Sequence, residues 1–148
     1  MILAIDVGNT QTVIGLVDAG VLDDHWRIHS NPLLTADELR IKIGALLSAA
    51  GHGLDHVEHV VISSVVPALT AAYEELTIKI TGESPMTVGP GLKTGMAIKY
   101  GNPHEVGADR IVNGVAAFEQ HGGPVVIVDF GTATTIDVVD ASGAYLGG

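Results

Sequence analysis

Apolar positions in this chain recur with two different periods, and the switches between them mark out the elements. The run Met1 to Ile5 ends in Asp6 and is followed by a polar stretch and a second apolar segment, which closes at Asp18-Ala19-Gly20. That order predicts a strand, a tight turn and a returning strand. Val21 to His29 continues as a third strand, with Trp26 and Ile28 on one face and His25 and Arg27 on the other. Asn31-Pro32 breaks it. Thr35 followed by Glu38 is a capping-box signature, opening a helix whose Leu39, Ile43, Leu46, Leu47 and Ala50 fall near helical spacing before Gly51 ends it. The β-branched run Val57 to Ser64 predicts a buried strand, Pro67 to about Ile80 a second helix ending at Gly82, and Met86 to Val88 a short strand. Gly89 to Pro103 reads as irregular loop around the brief apolar segment Met96 to Tyr100. A third helix opens at Gly107-Ala108-Asp109-Arg110 and offers Ile111, Val112, Val115, Ala116 and Phe118 to a core. His121-Gly122-Gly123-Pro124 stops it.

The first turn has a relative. Asp6-Val7-Gly8-Asn9-Thr10-Gln11-Thr12 returns in altered form as Asp129-Phe130-Gly131-Thr132-Ala133-Thr134-Thr135, 123 residues later and again after an apolar run, Val125 to Val128. The second hairpin also exits through a turn signal, Asp140-Ala141-Ser142-Gly143, towards a third strand at Ala144 to Leu146. Such repetition predicts duplicated lobes. We expect a first lobe over 1–122 and the start of a second over 123–148, which at that length holds too little chain to complete an α/β lobe, so the second lobe is expected to be truncated.

Composition narrows the function. The chain has 148 residues, 47% of them hydrophobic, so it can bury a core. Its net charge of −10 argues against a nucleic-acid or anionic-membrane partner. It has no cysteine, which excludes a thiol catalyst, and neither a basic leader nor an apolar run of membrane-spanning length is present. A cytoplasmic protein acting on small polar molecules is expected.

A turn of the Asp-x-Gly-x-Thr kind brings backbone N–H groups and threonine hydroxyls to an anion, with glycine removing the bulk that would keep them away. An aspartate ending the strand suits a Mg²⁺ ion, directly or through water, better than it suits a bare phosphate. Two such turns would grip a nucleotide's phosphates, and phosphoryl transfer is the chemistry that follows. Transfer to an alcohol needs a proton acceptor, for which Asp109 is the leading candidate. The alternative is that Asp109 is only a first-turn carboxylate complementing the helix dipole or pairing with Arg110. Arg110 itself is either a partner for a substrate carboxylate or a surface ion pair. Gly89-Pro90-Gly91-Leu92-Lys93-Thr94 lacks the order of a phosphate loop of the Gly-Lys-Thr type, and His52, His56, His59 and His104 read as solvated positions rather than metal ligands.

Three strings, Asp6-Val7-Gly8-Asn9-Thr10, Asn102-Pro103 through Gly107-Ala108-Asp109-Arg110, and Asp129-Phe130-Gly131-Thr132-Ala133-Thr134-Thr135, together resemble the type III pantothenate kinase family. That family belongs to the superfamily of acetate kinases, sugar kinases, heat-shock chaperones and actin, built from duplicated ribonuclease-H-like α/β lobes with mixed sheets. The resemblance implies ATP-dependent phosphorylation of pantothenate to 4'-phosphopantothenate, the first step of coenzyme A biosynthesis, with Mg²⁺ and a monovalent cation, K⁺ or NH₄⁺. It implies that Asp109 accepts the proton. Asp6, Val7, Gly8, Asn9, Thr10, Gln11 and Thr12 would contact ATP with Gly131 and Thr132, beside the Mg²⁺ that the strand-end chemistry already gives to Asp6. Asp129 would hold the monovalent cation, and Tyr100, Gly107, Ala108, Asp109 and Arg110 would bind pantothenate in a homodimer. Competing readings are another kinase or phosphatase of the superfamily, a non-catalytic ATP-binding regulator, and an inactive fragment of the kinase.

Overall fold

The structure is a computed structural model that describes residues 1–89 and 92–148. The string Gly89 to Thr94 therefore lies partly outside the described residues, at Pro90 and Gly91. The chain forms two compact units, Met1–Thr87 and Val88–Gly148.

The first unit is a five-stranded mixed sheet with two helices. Strands β1 (Ile2–Val7), β2 (Gln11–Asp18) and β3 (Val21–His29) form an antiparallel meander. Helix α1 (Ala36–Ala49) leads to β4 (His59–Ser64), and helix α2 (Pro67–Thr81) leads to β5 (Met86–Thr87). Both of these strands run parallel to β1, in the order β3-β2-β1-β4-β5. The β2–β3 turn is the two-residue kind matched to strand twist, with φ of 47° at Ala19 and 82° at Gly20. Alternation then decides the core. Leu3, Ile5 and Val7 of β1, Ile14 and Leu16 of β2, and Val60 and Ile62 of β4 point to one side and meet Leu39, Ile43 and Leu47 of α1 and Leu69, Tyr73 and Leu76 of α2. Each such side chain contributes about 1.5–3 kcal/mol when fully buried.

The capping box forms as predicted: Glu38 N–H donates to Thr35 Oγ1 at 3.3 Å, and Thr35 N–H donates to Glu38 Oε2 at 2.9 Å. Leu54–His56 makes a 3₁₀ turn before the apolar run, and the strand begins at His59, two residues after the run's start at Val57.

The second unit is built on β6 (Val125–Phe130), β7 (Thr134–Val139) and β8 (Tyr145–Gly147), all antiparallel, with α3 (Ala108–His121) packed on β6 and β7. Two features differ from the sequence expectation. Met96 to Tyr100 is not wholly irregular: Ile98 bridges Tyr145 in parallel, with Tyr145 N–H donating to the Ala97 carbonyl at 2.9 Å and Lys99 N–H to the Tyr145 carbonyl at 2.8 Å. The helix α3 turns Ala108, Ile111 and Gly114 inward and leaves Ala116 exposed. Gly114 lets Met96 pack closely on the helix, since a Cβ there would sit 3.1 Å from the Met96 sulfur. Compact packing thus divides the chain between Thr87 and Val88, because α3 rests on the second sheet, whereas the sequence reading drew its lobe boundary at 122–123. On the side of this sheet away from Asp137 and Val139, the side chains of Val126, Val128, Phe130, Ile136 and Leu146 are exposed.

Candidate active site

The first Asp-x-Gly turn is braced from two directions. Val7 stands opposite Thr12, so Gly8 to Gln11 form the connection, and Gly8 N–H donates to the Gln11 carbonyl at 3.0 Å. A Cβ on Gly8 would lie 3.0 Å from that same carbonyl, so glycine lets the turn close. Ser30, just past β3, ties the turn down: its Oγ donates to the Gly8 carbonyl at 2.6 Å and pairs with Thr12 Oγ1 at 2.9 Å, while its N–H donates to the Thr10 carbonyl at 2.9 Å. Asp6 is oriented from β4, where Ser63 Oγ donates to its Oδ1 at 2.9 Å. Parallel pairing puts these two residues side by side at the same strand ends.

Not every predicted position in this turn offers a side chain. Val7 and Thr12 are fully buried, with Thr12 engaged by Ser30 and by Tyr73. Burial pushes the Tyr73 phenol up to about 12, against the pull of its hydrogen bond with Thr12. Asp6, Asn9, Thr10 and Gln11 have exposed side chains, and Gly8 presents backbone.

The second turn is one residue tighter. Phe130 stands opposite Thr134, so only Gly131, Thr132 and Ala133 connect the strands, against four residues in the first copy. Asn113 of α3 donates from Nδ2 to Asp129 Oδ2 at 3.0 Å and fixes that carboxylate at the strand end. The donor set suits a loosely held monovalent cation better than a transition metal. It has one carboxylate in a turn of carbonyl and hydroxyl oxygens, and no cluster of three His, Cys, Asp or Glu exists among the described residues. Asp6, a single carboxylate, suits Mg²⁺ that keeps most of its waters.

The Gly107-Ala108-Asp109-Arg110 string opens α3 with Gly107 as N-cap. Asp109 is half-buried in the first turn, where the helix dipole favours a carboxylate, and its Oδ1 accepts the Arg110 N–H at 2.9 Å. The Arg110 guanidinium reaches across to the second sheet. Its Nη1 lies 3.4 Å from Asp137 Oδ1, 3.5 Å from the Tyr145 hydroxyl and 3.3 Å from the Gly148 carbonyl. Tyr100 joins the same group, since a Cβ at Gly147 would meet its ring at 2.9 Å. Thus Tyr100 and Arg110, ten residues apart, both reach the distant Gly147 and Gly148. Ser30, Ser63, Asn113, Asp137 and Tyr145 were not singled out from the sequence. Ser63 had a readable signal, a hydroxyl at the end of a buried strand.

Two solved structures share the fold: a reductive activator for a corrinoid, iron-sulfur protein (TM-score 0.57, 16% identity, 93% of this chain and 29% of that one), and a protein from Sinorhizobium meliloti described as a putative 2-dehydro-3-deoxygalactonokinase (TM-score 0.52, 12% identity, 100% of this chain and 52% of that one). The class is the actin-like, ribonuclease-H-like α/β fold. Within it, the chain belongs to the type III pantothenate kinase family, whose sequence profile matches residues 2–148. Proteins named type III pantothenate kinase from Moorella thermoacetica and Geobacter sulfurreducens are 51% and 52% identical over all 148 residues. The chain spans 58% of the length of each of these relatives.

Proposed function

We propose that the protein phosphorylates pantothenate with ATP, giving 4'-phosphopantothenate and ADP, the first step towards coenzyme A. Family membership across all three motif strings carries this reading. The geometry that supports it is a half-buried Asp109 at the start of α3 whose neighbour Arg110 turns its guanidinium to the second sheet, in the unit that also carries the second Asp-x-Gly turn.

Asp109 accepts the proton of the primary hydroxyl as that oxygen attacks the γ-phosphorus, and the bond to the bridging oxygen breaks to release ADP. Backbone N–H groups of Asn9 to Gln11, with the side chains of Asn9 and Thr10, and the N–H groups of Gly131 and Thr132 take the phosphates. Arg110 and Tyr100 take the acidic end of pantothenate, with Gly107 and Ala108 giving close backbone approach. Asp6 would hold Mg²⁺ through water and Asp129 a K⁺ or NH₄⁺ ion, and these ions supply positive charge to the phosphate oxygens. The family reading also carries a homodimer in the cytoplasm. No helix among the described residues is long and apolar enough to cross a membrane.

The test is a substrate panel on the full-length protein with ATP, Mg²⁺ and K⁺, reading ADP release and product mass. Pantothenate alone should gain one phosphoryl group. Phosphorylation of acetate or a sugar instead would move the protein elsewhere in the superfamily, and ATP binding without acceptor-dependent ADP release would make it a regulator.

A further inference from the structure

Asp137 is the residue in the second unit with the least evident structural reason to be charged. It sits in the middle of β7, opposite Ile127, and is wholly buried on the side facing α3. Tyr145, also wholly buried, donates its hydroxyl to Asp137 Oδ1 at 2.6 Å, while Thr135 Oγ1 approaches Oδ2 at 3.5 Å. The same Oδ1 faces Arg110 Nη1 at 3.4 Å, and that side chain keeps 29% of its surface exposed. Burying a carboxylate, a phenol and part of a guanidinium together is costly, and apolar residues of similar size would stabilise the sheet as well or better. What the polar arrangement supplies is orientation. A guanidinium offers five N–H donors in a rigid fork, and the contacts to Asp137, Tyr145 and Gly148 engage only Nη1. Anchored at one nitrogen, the fork has a fixed direction beside Tyr100.

We propose that Asp137 and Tyr145 are positioning residues that lock the Arg110 fork in one orientation, so that it reads the carboxylate of the acceptor and sets selectivity for an acidic over a neutral substrate. This rests on the pantothenate reading above. Neither residue touches the acceptor; both act through Arg110. Two other roles predict different behaviour. If Asp137 only tempered the charge of Arg110, removing its charge would strengthen recognition of the carboxylate. If the cluster only held the sheet together, its loss would affect all acceptors alike.

The experiment compares pantothenate with its alcohol analogue, in which CH₂OH replaces the carboxylate, in the full-length wild-type protein and in Tyr145→Phe and Asp137→Asn. The readout is the ratio of the two kcat/KM values. We expect the wild type to favour the acid and each variant to lower the ratio about tenfold, mainly through KM for pantothenate, with KM for ATP within about twofold. An unchanged ratio, or a higher one in Asp137→Asn, overturns the proposal. Should Asp137→Asn not fold, Tyr145→Phe, which loses a single oxygen, decides by the same ratio. A wild type that turns over neither acceptor refutes the pantothenate reading, whereas an active wild type with insensitive variants refutes only the positioning role.

Discussion

Removing one hydroxyl outside the first turn should weaken the grip on ATP. Ser30→Ala deletes the Oγ that donates to the Gly8 carbonyl at 2.6 Å and pairs with Thr12 at 2.9 Å. A hydrogen bond of this kind contributes about 0.5–1.5 kcal/mol net. Thr12 keeps Tyr73 as a partner, and the bond between Ser30 N–H and the Thr10 carbonyl survives the substitution. The loss should therefore come to about 1–2 kcal/mol of stability, or a fall of roughly 3–8 °C in Tm for a chain of this size. In the proposed reading the nucleotide binds the ordered turn, so about 0.5–1.4 kcal/mol of that ordering cost should pass to binding and raise Kd for ATP about two- to tenfold. Urea unfolding and ATP titration of the wild type, Ser30→Ala and Ser30→Thr measure both quantities, and the threonine variant, which keeps a hydroxyl, should recover most of each. Loss of stability with ATP affinity intact would refute the link between the brace and the nucleotide.

Two further outcomes follow from local geometry. Thr35→Ala breaks the capping box of α1 and should cost about 1 kcal/mol in urea unfolding, while Glu38→Gln, which can still accept from the cap, should cost less. Asp140 is held well below the usual carboxylate range, first by the Ser142 hydroxyl, then by the Ala144 N–H and Lys99. Its folded value is depressed, so its contribution is fully present above the ordinary value of 3.8 and is lost as pH falls below that towards the folded value. The stability gap between wild type and Asp140→Asn should accordingly be constant from pH 7 to about pH 5 and shrink as pH drops through 4 to 3. A gap that is flat through this acid range would contradict the assignment.

Local chemistry carried much of the fold into view from the sequence alone. Thr35 and Glu38 form their box, Gly51 and Gly82 adopt the positive φ expected after a helix, and both Asp-x-Gly strings lie between paired strands. What stayed hidden depends on partners distant in sequence. No periodicity shows that Ile98 bridges Tyr145, that Met96 crosses α3 at Gly114, or that Asn113 reaches Asp129. The shared Asp-x-Gly start of the two turns also concealed a difference in register, which hydrogen-bond pairing sets and the motif letters do not. For the site, aspartates and glycines were legible because their chemistry is unusual at strand ends. Ser30 was not, because a serine after a strand is common and only the folded meander brings it against Gly8. Asp137 reads as one polar residue in an alternating strand until the structure places it inside.

Phosphoryl transfer by Asp109→Asn in the full-length protein decides whether the start of α3 takes part in the chemistry. Asp109 is half-buried, and Asn keeps its size and its ability to accept the Arg110 N–H. The variant should therefore melt within a degree or two of the wild type and bind ATP as tightly. Pantothenate-dependent ADP release should fall by about 10²–10⁴, the usual contribution of a positioned proton acceptor. Near-normal turnover in a folded variant would remove Asp109 from the chemistry and with it the assignment of the α3 N-terminus as the catalytic site.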